Sequence, residues 1–427
     1  MSALIALGRF ADAEAELAAM KTRRGADYFL RKAIVAYRKG DEVAFPAMLA
    51  RVDGALLPRA DLPWFHLLKG IEARRSGAVE ASQQAFNKAR ELAVGPIQSS
   101  YIDYAIHLDR VLQGEANPQL AEELAERVRV NEGTAVGEQF AREYATVLFR
   151  LGRREQALEV LTGLLAVIPG DEWKRREPLE LLVGMVSGED SARGRAAFEA
   201  IVEKGTDEVL QRRVLFRLAS RATEPESVAS FERFLSRLIG QEAPRVLLDE
   251  LLLLRSRLRL EAGSLVDAEA DAARILENFP LSPYKAETLW MLAYLAWSAE
   301  QPRYRVAADY LNRFRAESEF ERARFAAGVL MGDCYFLNGD FQTASDVYEA
   351  ISAEEDTARF SDGEVFLKLV LADVRAGELE EAVRHLDRAV LFGRMDARNR
   401  WRAEWHLVTA LQDAGKEQAA FERLNFQ

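Results

Sequence analysis

The residue types that perform most protein chemistry are scarce and scattered in this chain. Its histidines are His66, His107, His385 and His406, and none stands one helical turn from a second His or a Cys, the step that presents two ligands to one metal ion. The single cysteine, Cys334, sits in "MGDCYF" among apolar neighbours. That setting reads as a small buried side chain rather than a reactive thiol, and one cysteine forms no intrachain disulfide. No GxxxxGK[ST] phosphate loop and no GxGxxG turn occurs. The serines show no spacing to a base that would mark a nucleophile. The expectation is a chain without catalysis, cofactor or metal.

Cations are the other candidate chemistry. They cluster in "KRRE" (174–177), "LQRRVLFRLASR" (210–221) and "LRSRLRL" (254–260). Gathered on one face they would make a basic patch. Spread over helix faces, their long stems would cover apolar surface while the charged heads stay in water. The formal net charge of −11 opposes a nucleic-acid surface, which needs cations to displace condensed counterions. No nucleic-acid partner is therefore expected.

The elements that hold these residues follow from composition and period. Apolar residues make up 49% and charged residues 29% of 427, suited to a folded chain too long for one compact core. Ala, Leu, Glu and Arg dominate, and all favour helix. The longest apolar run, "VLLDELLLL" (246–254), is interrupted by Asp249 and Glu250. Nothing approaches the roughly 18 apolar residues of a membrane span.

A unit then repeats along the chain. From Gly339, steps of two, five, nine and twelve residues reach Phe341, Ala344, Tyr348 and Ile351. The same steps from Gly377 reach Leu379, Ala382, Leu386 and Ala389, and from Gly8 reach Phe10, Ala13, Leu17 and Met20. Glycine anchors recur at 8, 40, 77, 114, 152, 188, 263, 339, 377 and 415, with Pro225 and Gln301 in register where Gly is missing. From Gly188 onward the spacing is 37 or 38 residues. A fixed period in this range, with apolar residues on one helical face, predicts helix, tight turn, helix, stacked on its neighbours. The predicted fold is all-α, a single array over 1–427 of eleven helix pairs and a leading half-unit. The pattern is strong over 138–170 and 249–424 and weaker over 27–130 and 173–240.

These residues resemble the tetratricopeptide repeat family. "LGRREQALEVLTGLLAVIPGDE" (151–172) is similar to its second helix, through Gly152, Ala157, Leu161, Leu164 and Pro169. "GDCYFLNGDFQTASDVYEA" (332–350) adds the small Gly332 and Tyr335 of a first helix. The period exceeds the usual 34, which puts the extra length in the first helices. The resemblance implies a right-handed superhelical solenoid whose first helices line a concave surface. Its inward positions here would be Trp64, Tyr101, Tyr104, Arg142, Phe149, Arg257, Met291, Phe336 and Trp405, rich in the aromatic and Arg residues that anchor interfaces. The Lys and Asn set of a peptide-carboxylate clamp is not found.

The expected function is a non-catalytic scaffold that binds a protein or peptide. Two alternatives follow. "NFPLSPYKAETLWMLAYLAWSAEQPRYRVAADYLNRF" (278–314) is similar to repeats of bacterial envelope proteins, the Tol–Pal coordinator and outer-membrane assembly lipoproteins, and implies a bacterial cell-envelope assembly factor. The chain opens inside a repeat, so that reading expects a signal upstream of Met1 and a periplasmic location; the chain as it stands reads as cytoplasmic. The second alternative is the regulatory segment of a larger enzyme. The last segment, "AAFERLNFQ", predicts a short helix with an uncovered apolar face and self-association through that end.

Overall fold

The computed structural model describes residues 10–19, 25–354, 360 and 363–425. The described residues form helices and no strand. The chain divides into two compact units, Met1–Gln211 and Arg212–Gln427. It is an all-α helical repeat protein of the solenoid type.

The first unit opens with α1 (Phe10–Ala19) and continues in pairs. These are α2 (Ala26–Lys39) with the short α3 (Ala44–Leu49), α4 (Leu62–Arg75) with α5 (Val79–Leu92), α6 (Gly95–Leu112) with α7 (Pro118–Val130), α8 (Ala135–Arg150) with α9 (Arg154–Val167), and α10 (Trp173–Ser187) with α11 (Ala192–Lys204). The boundary falls inside α12 (Glu208–Arg221), which α13 (Pro225–Gln241) follows. The second unit continues with α14 (Leu248–Glu261), α15 (Leu265–Asn278), α16 (Lys285–Trp297), α17 (Tyr304–Glu317), α18 (Glu321–Leu337), α19 (Phe341–Ser352), α20 (Glu364–Ala376), α21 (Leu379–Leu391), α22 (Ala397–Asp413) and α23 (Glu417–Asn425). In the first unit α4 packs on its own second helix, α5, and on α6, the first helix of the next pair; in the second unit α20 does the same with α21 and α22.

The turn anchors behave as the sequence pattern requires. Gly40, Gly77, Gly114, Gly152, Gly188, Gly263, Gly339, Gly377 and Gly415 all adopt positive φ, the conformation that ends a helix sharply and that a Cβ disfavours. Gly8 and Met20 lie outside the described residues. Five residues after an anchor, Ala157, Ala268, Ala344 and Ala382 are fully buried and Ala420 nearly so, because two helices touch there. In a weaker repeat this place belongs to Ser82, whose hydroxyl donates to the Gly70 carbonyl at 2.8 Å.

The first helices carry the matching hollows. A Cβ on Gly70 would lie 2.4 Å from the Phe86 ring, on Gly184 2.2 Å from Phe198, and on Gly332 2.3 Å from Tyr348. In each pair a second-helix aromatic fills the space that glycine leaves. The extra length over a 34-residue unit is only partly in the first helices. The helix α18 has 17 residues, but α16 has 13, and there the surplus lies in the connection over 279–284.

Ion pairs join successive repeats at about one period of sequence separation. Lys368 meets Asp333 at 2.7 Å, Arg305 meets Asp340 at 2.7 Å, Arg303 meets Glu269 at 2.7 Å, and Arg423 meets Asp387 at 2.8 Å.

Candidate functional site

In the first unit, four successive first helices face a common cleft of about 500 Å³. Leu30, Ile34 and Tyr37 come from α2, Trp64 and Leu67 from α4, Tyr101, Tyr104 and Leu108 from α6, and Gln139 from α8. Each contributes because first-helix residues three and four apart share one face. Arg31, Arg38 and Asp61 add charge to the lining, and Arg31 lies 3.5 Å from Asp61.

Three of the residues expected on an inward face, Trp64, Tyr101 and Tyr104, meet in this cleft. A fourth, Arg142, braces it. Its guanidinium donates to the Tyr104 hydroxyl at 3.0 Å and to Glu143 Oε1 at 2.9 Å. Tyr104 in turn donates to Glu143 at 3.3 Å and packs edge-on against Phe140 at 5.4 Å. Burial, and then the Glu143 carboxylate, push the Tyr104 phenol well above its ordinary value, so it stays a neutral donor.

The other expected residues are dispersed. Phe149 is half-buried against the leucine core of its own unit, with the Arg154 guanidinium 5.9 Å from its ring centroid. Arg257 is held in an ion pair by Glu287 of the neighbouring first helix. Phe336 lies edge-on to Phe341 at 5.2 Å. Trp405 is 59% exposed and stacked on Trp401. Met291 is 6% exposed and accepts a hydrogen bond from Ser256 at 3.0 Å, between two first helices.

The pattern did not single out Tyr37. Its ring lies under the Arg75 guanidinium at 5.3 Å. Its hydroxyl is buried without a hydrogen-bond partner among the described residues, and burial, with Asp109 adding to it, pushes the phenol up to about 12. A Tyr one turn before a helix C-terminus carries no periodic signal that separates it from core. Asp109 was equally silent, yet it is fully buried and lies 3.2 Å from Arg74 and 3.7 Å from Arg75.

Cations of two basic clusters, 174–177 and 254–260, are engaged within the fold, while Arg213, Arg217 and Arg221 of the third are exposed. Arg175 pairs with Glu138 and Glu172. Arg176 donates to the carbonyls of Leu165 and Ile168 at the end of α9, at 3.0 and 2.8 Å. Arg255 grips Asp271 with two bonds of 2.8 and 2.6 Å, and Arg259 reaches Glu232 and Asp271. Carboxylates of neighbouring helices thus hold Arg175, Arg255 and Arg259.

Two of the four histidines, His107 and His385, are buried. His107 is 4% exposed and its Nδ1 lies 2.7 Å from the Asp103 carbonyl, one turn back; burial holds its pKa below the ordinary value. His385, Asp373 and Ser345 are all buried and contain the three residue types of a hydrolytic triad. Their order is wrong for one. His385 Nδ1 bonds Asp373 Oδ2 at 2.8 Å, but the Ser345 hydroxyl donates to the other oxygen of the same Asp373. A nucleophile must give its proton to the imidazole, and here the carboxylate stands between them. The Cys334 thiol is buried, and desolvation pushes it up to about 12, so it remains protonated. Among the described residues no group of three His, Cys, Asp or Glu is gathered to hold a metal ion. No described helix is long and apolar enough to cross a membrane.

No family model matches the chain, and no curated protein is significantly similar to it. Solved structures resemble it distantly. The structure of Naa15/Naa10 bound to HypK-THB aligns over 97% of this chain at 14% identity and a TM-score of 0.34; this chain spans 64% of that one, less than two thirds. The apo form of RapI aligns over 87% of this chain and 99% of its own length, at 13% identity and a TM-score of 0.32.

Proposed function

We propose that this chain is a non-catalytic protein-binding scaffold of the tetratricopeptide type, and that the cleft lined by α2, α4, α6 and α8 receives a peptide segment. One observation carries this reading: first helices of three successive repeats converge Tyr37, Trp64, Tyr101 and Tyr104 on one cavity, which Gln139 of the fourth also lines. Aromatic side chains with a polar tip give large contact area at low entropy cost, and they dominate binding energy at protein interfaces. A volume near 500 Å³ suits a few side chains of an inserted segment. Leu30, Ile34, Leu67 and Leu108 would bury its apolar groups, while Gln139 and Arg38 offer hydrogen bonds at the rim. The intervening carboxylate of the Ser345–Asp373–His385 chain supports the non-catalytic part. The anchors Gly188, Pro225 and Gly263 stand 37 and 38 residues apart across the boundary of the two units, which supports reading 1–427 as a single array.

The test starts from peptides selected on the intact chain from a displayed random library. A selected peptide should bind the Trp64→Ala/Tyr101→Ala variant at least about tenfold more weakly, since two central aromatic anchors carry roughly 2 kcal/mol or more. Peptides that bind parent and variant alike would remove the cleft from the proposal.

A further inference from the structure

The far end of the second unit exposes a surface that the cleft reading does not use. Trp401 and Trp405 lie one turn apart on α22, both 59% exposed, with ring centroids 5.9 Å apart and planes 16° from parallel. Equivalent places in earlier repeats are covered. Trp405 stands 38 residues after Leu367, which is 2% exposed, and Trp401 stands 76 residues after Phe325, which is 8% exposed. In the earlier repeats this stripe packs under neighbouring helices, Phe325 clustering with Ile351 and Val365. There the cover comes from helices of the same and the next repeat. On α23, Phe421 and Leu424 are also exposed, at 66% and 50%. Leu424 is nine residues past its anchor, the step at which Leu386 and Tyr348 are buried.

Three arginines border the stripe. Arg398 and Arg402 share its face of α22, and Arg394 precedes it; all three are exposed. None of them pairs with a carboxylate among the described residues, whereas Arg255, Arg257, Arg259, Arg303, Arg305 and Arg423 each do. The carboxylates nearby are engaged elsewhere. Asp396 caps α22 by accepting from the Asn399 amide at 2.6 Å. Glu404 is buried and held by Arg423 at 2.8 Å, and Arg423 also takes Asp387. In a chain of net charge −11, a group of unpaired arginines beside two exposed tryptophans is complementary to an anionic apolar partner.

We propose that this face of α22 docks an acidic amphipathic helix of a partner protein. The helix would lay its apolar stripe on Trp401 and Trp405, beside Phe421 and Leu424, and set its flanking Glu or Asp residues against Arg394, Arg398 and Arg402. Isologous pairing of two copies through this face would bring the arginines together. Nucleic-acid stacking is disfavoured because the two rings already lie against each other, with no room for a base between them.

The probe is a synthetic amphipathic helix of about five turns, leucine on one face and glutamate flanking it, with a second peptide carrying lysine in place of glutamate. Anisotropy of the labelled peptides is read against the intact chain. The glutamate peptide is expected to bind, and the lysine peptide to bind at least about tenfold more weakly. R398E/R402E should invert that preference, and W401S/W405S should abolish both. The charge inversion keeps the test valid should the tryptophan variant fold poorly, which circular dichroism reports. Equal binding of both peptides, no binding of either, or indifference to both variants overturns the proposal. So does a parent chain that dimerises, or that binds phosphatidylserine vesicles, and loses that property in W401S/W405S. Loss of cleft binding in Trp64→Ala/Tyr101→Ala leaves this result untouched, so the two readings fail separately.

Discussion

Single buried polar groups make the sharpest predictions at the scale of the residue. The Tyr37 hydroxyl is out of water with no described partner, a state that costs about 1–3 kcal/mol. Tyr37→Phe keeps the ring under Arg75 and removes the cost, so it should raise stability by about 1 kcal/mol in urea denaturation; a loss of stability would show that the hydroxyl has a partner in solution. The two buried histidines should respond to pH in opposite directions. His385 has its pKa raised, first by the Asp373 hydrogen bond. Its stabilisation is complete below the unfolded value near 6.5 and lost as pH rises through the folded one. His107 has its pKa lowered by burial, so its contribution is present above the unfolded value and lost as pH falls through the folded one. Imidazole titrations by NMR, with denaturation midpoints of His385→Asn and His107→Asn across that range, check both signs. Neither partner was legible in the sequence. Asp373 lies on the companion helix of His385, and only the fold brings the two together.

Between helices, the hollow made by a glycine decides how closely two elements approach. Gly332→Ala would push a methyl into the Tyr348 ring and Gly70→Ala into Phe86, each costing about 1–3 kcal/mol as overpacking does. Gly163, inside α9, has open space around its Cβ direction, and Gly163→Ala should instead stabilise by about 1 kcal/mol through helix propensity. Melting curves of the three variants test the contrast, and a tolerated Gly332→Ala would mean that the helices part easily. This scale was the most legible. The glycine spacing placed the turns and the alanine at the fifth step placed the contacts, because both are backbone demands that leave one acceptable residue type. The rest was blurred where larger residues shift the register: after Gln301 the buried residues are Ala307 and Ala308 while Val306 is exposed, one or two places later than the strong repeats. The same slippage explains Met291. Apolar first-helix residues look alike in sequence whether they face a neighbour or a groove, so Trp64 and Tyr101 found the cleft and Met291 found the core.

For the whole molecule, the division at residue 211 bears on cooperativity. Phe140, fully buried in the first unit, and Tyr348, 1% exposed in the second, are each worth roughly 3–5 kcal/mol on truncation to Ala. In hydrogen exchange read by peptide, Phe140→Ala should accelerate exchange in its own unit and leave α16–α21 protected, and Tyr348→Ala should do the converse. A variant that speeds exchange equally throughout would mark the chain as a single cooperative block. The ion pairs that link one repeat to the next, from Arg303–Glu269 to Arg423–Asp387, carry a different consequence. Each joins residues about one period apart, so the partners of any side chain are made within the same or the adjoining repeat. At about 5–20 residues per second, a ribosome takes seconds to deliver one repeat, while a helix pair forms in far less than a millisecond. The nascent chain can thus settle behind the point of synthesis, repeat by repeat, with little need to wait for its C-terminus.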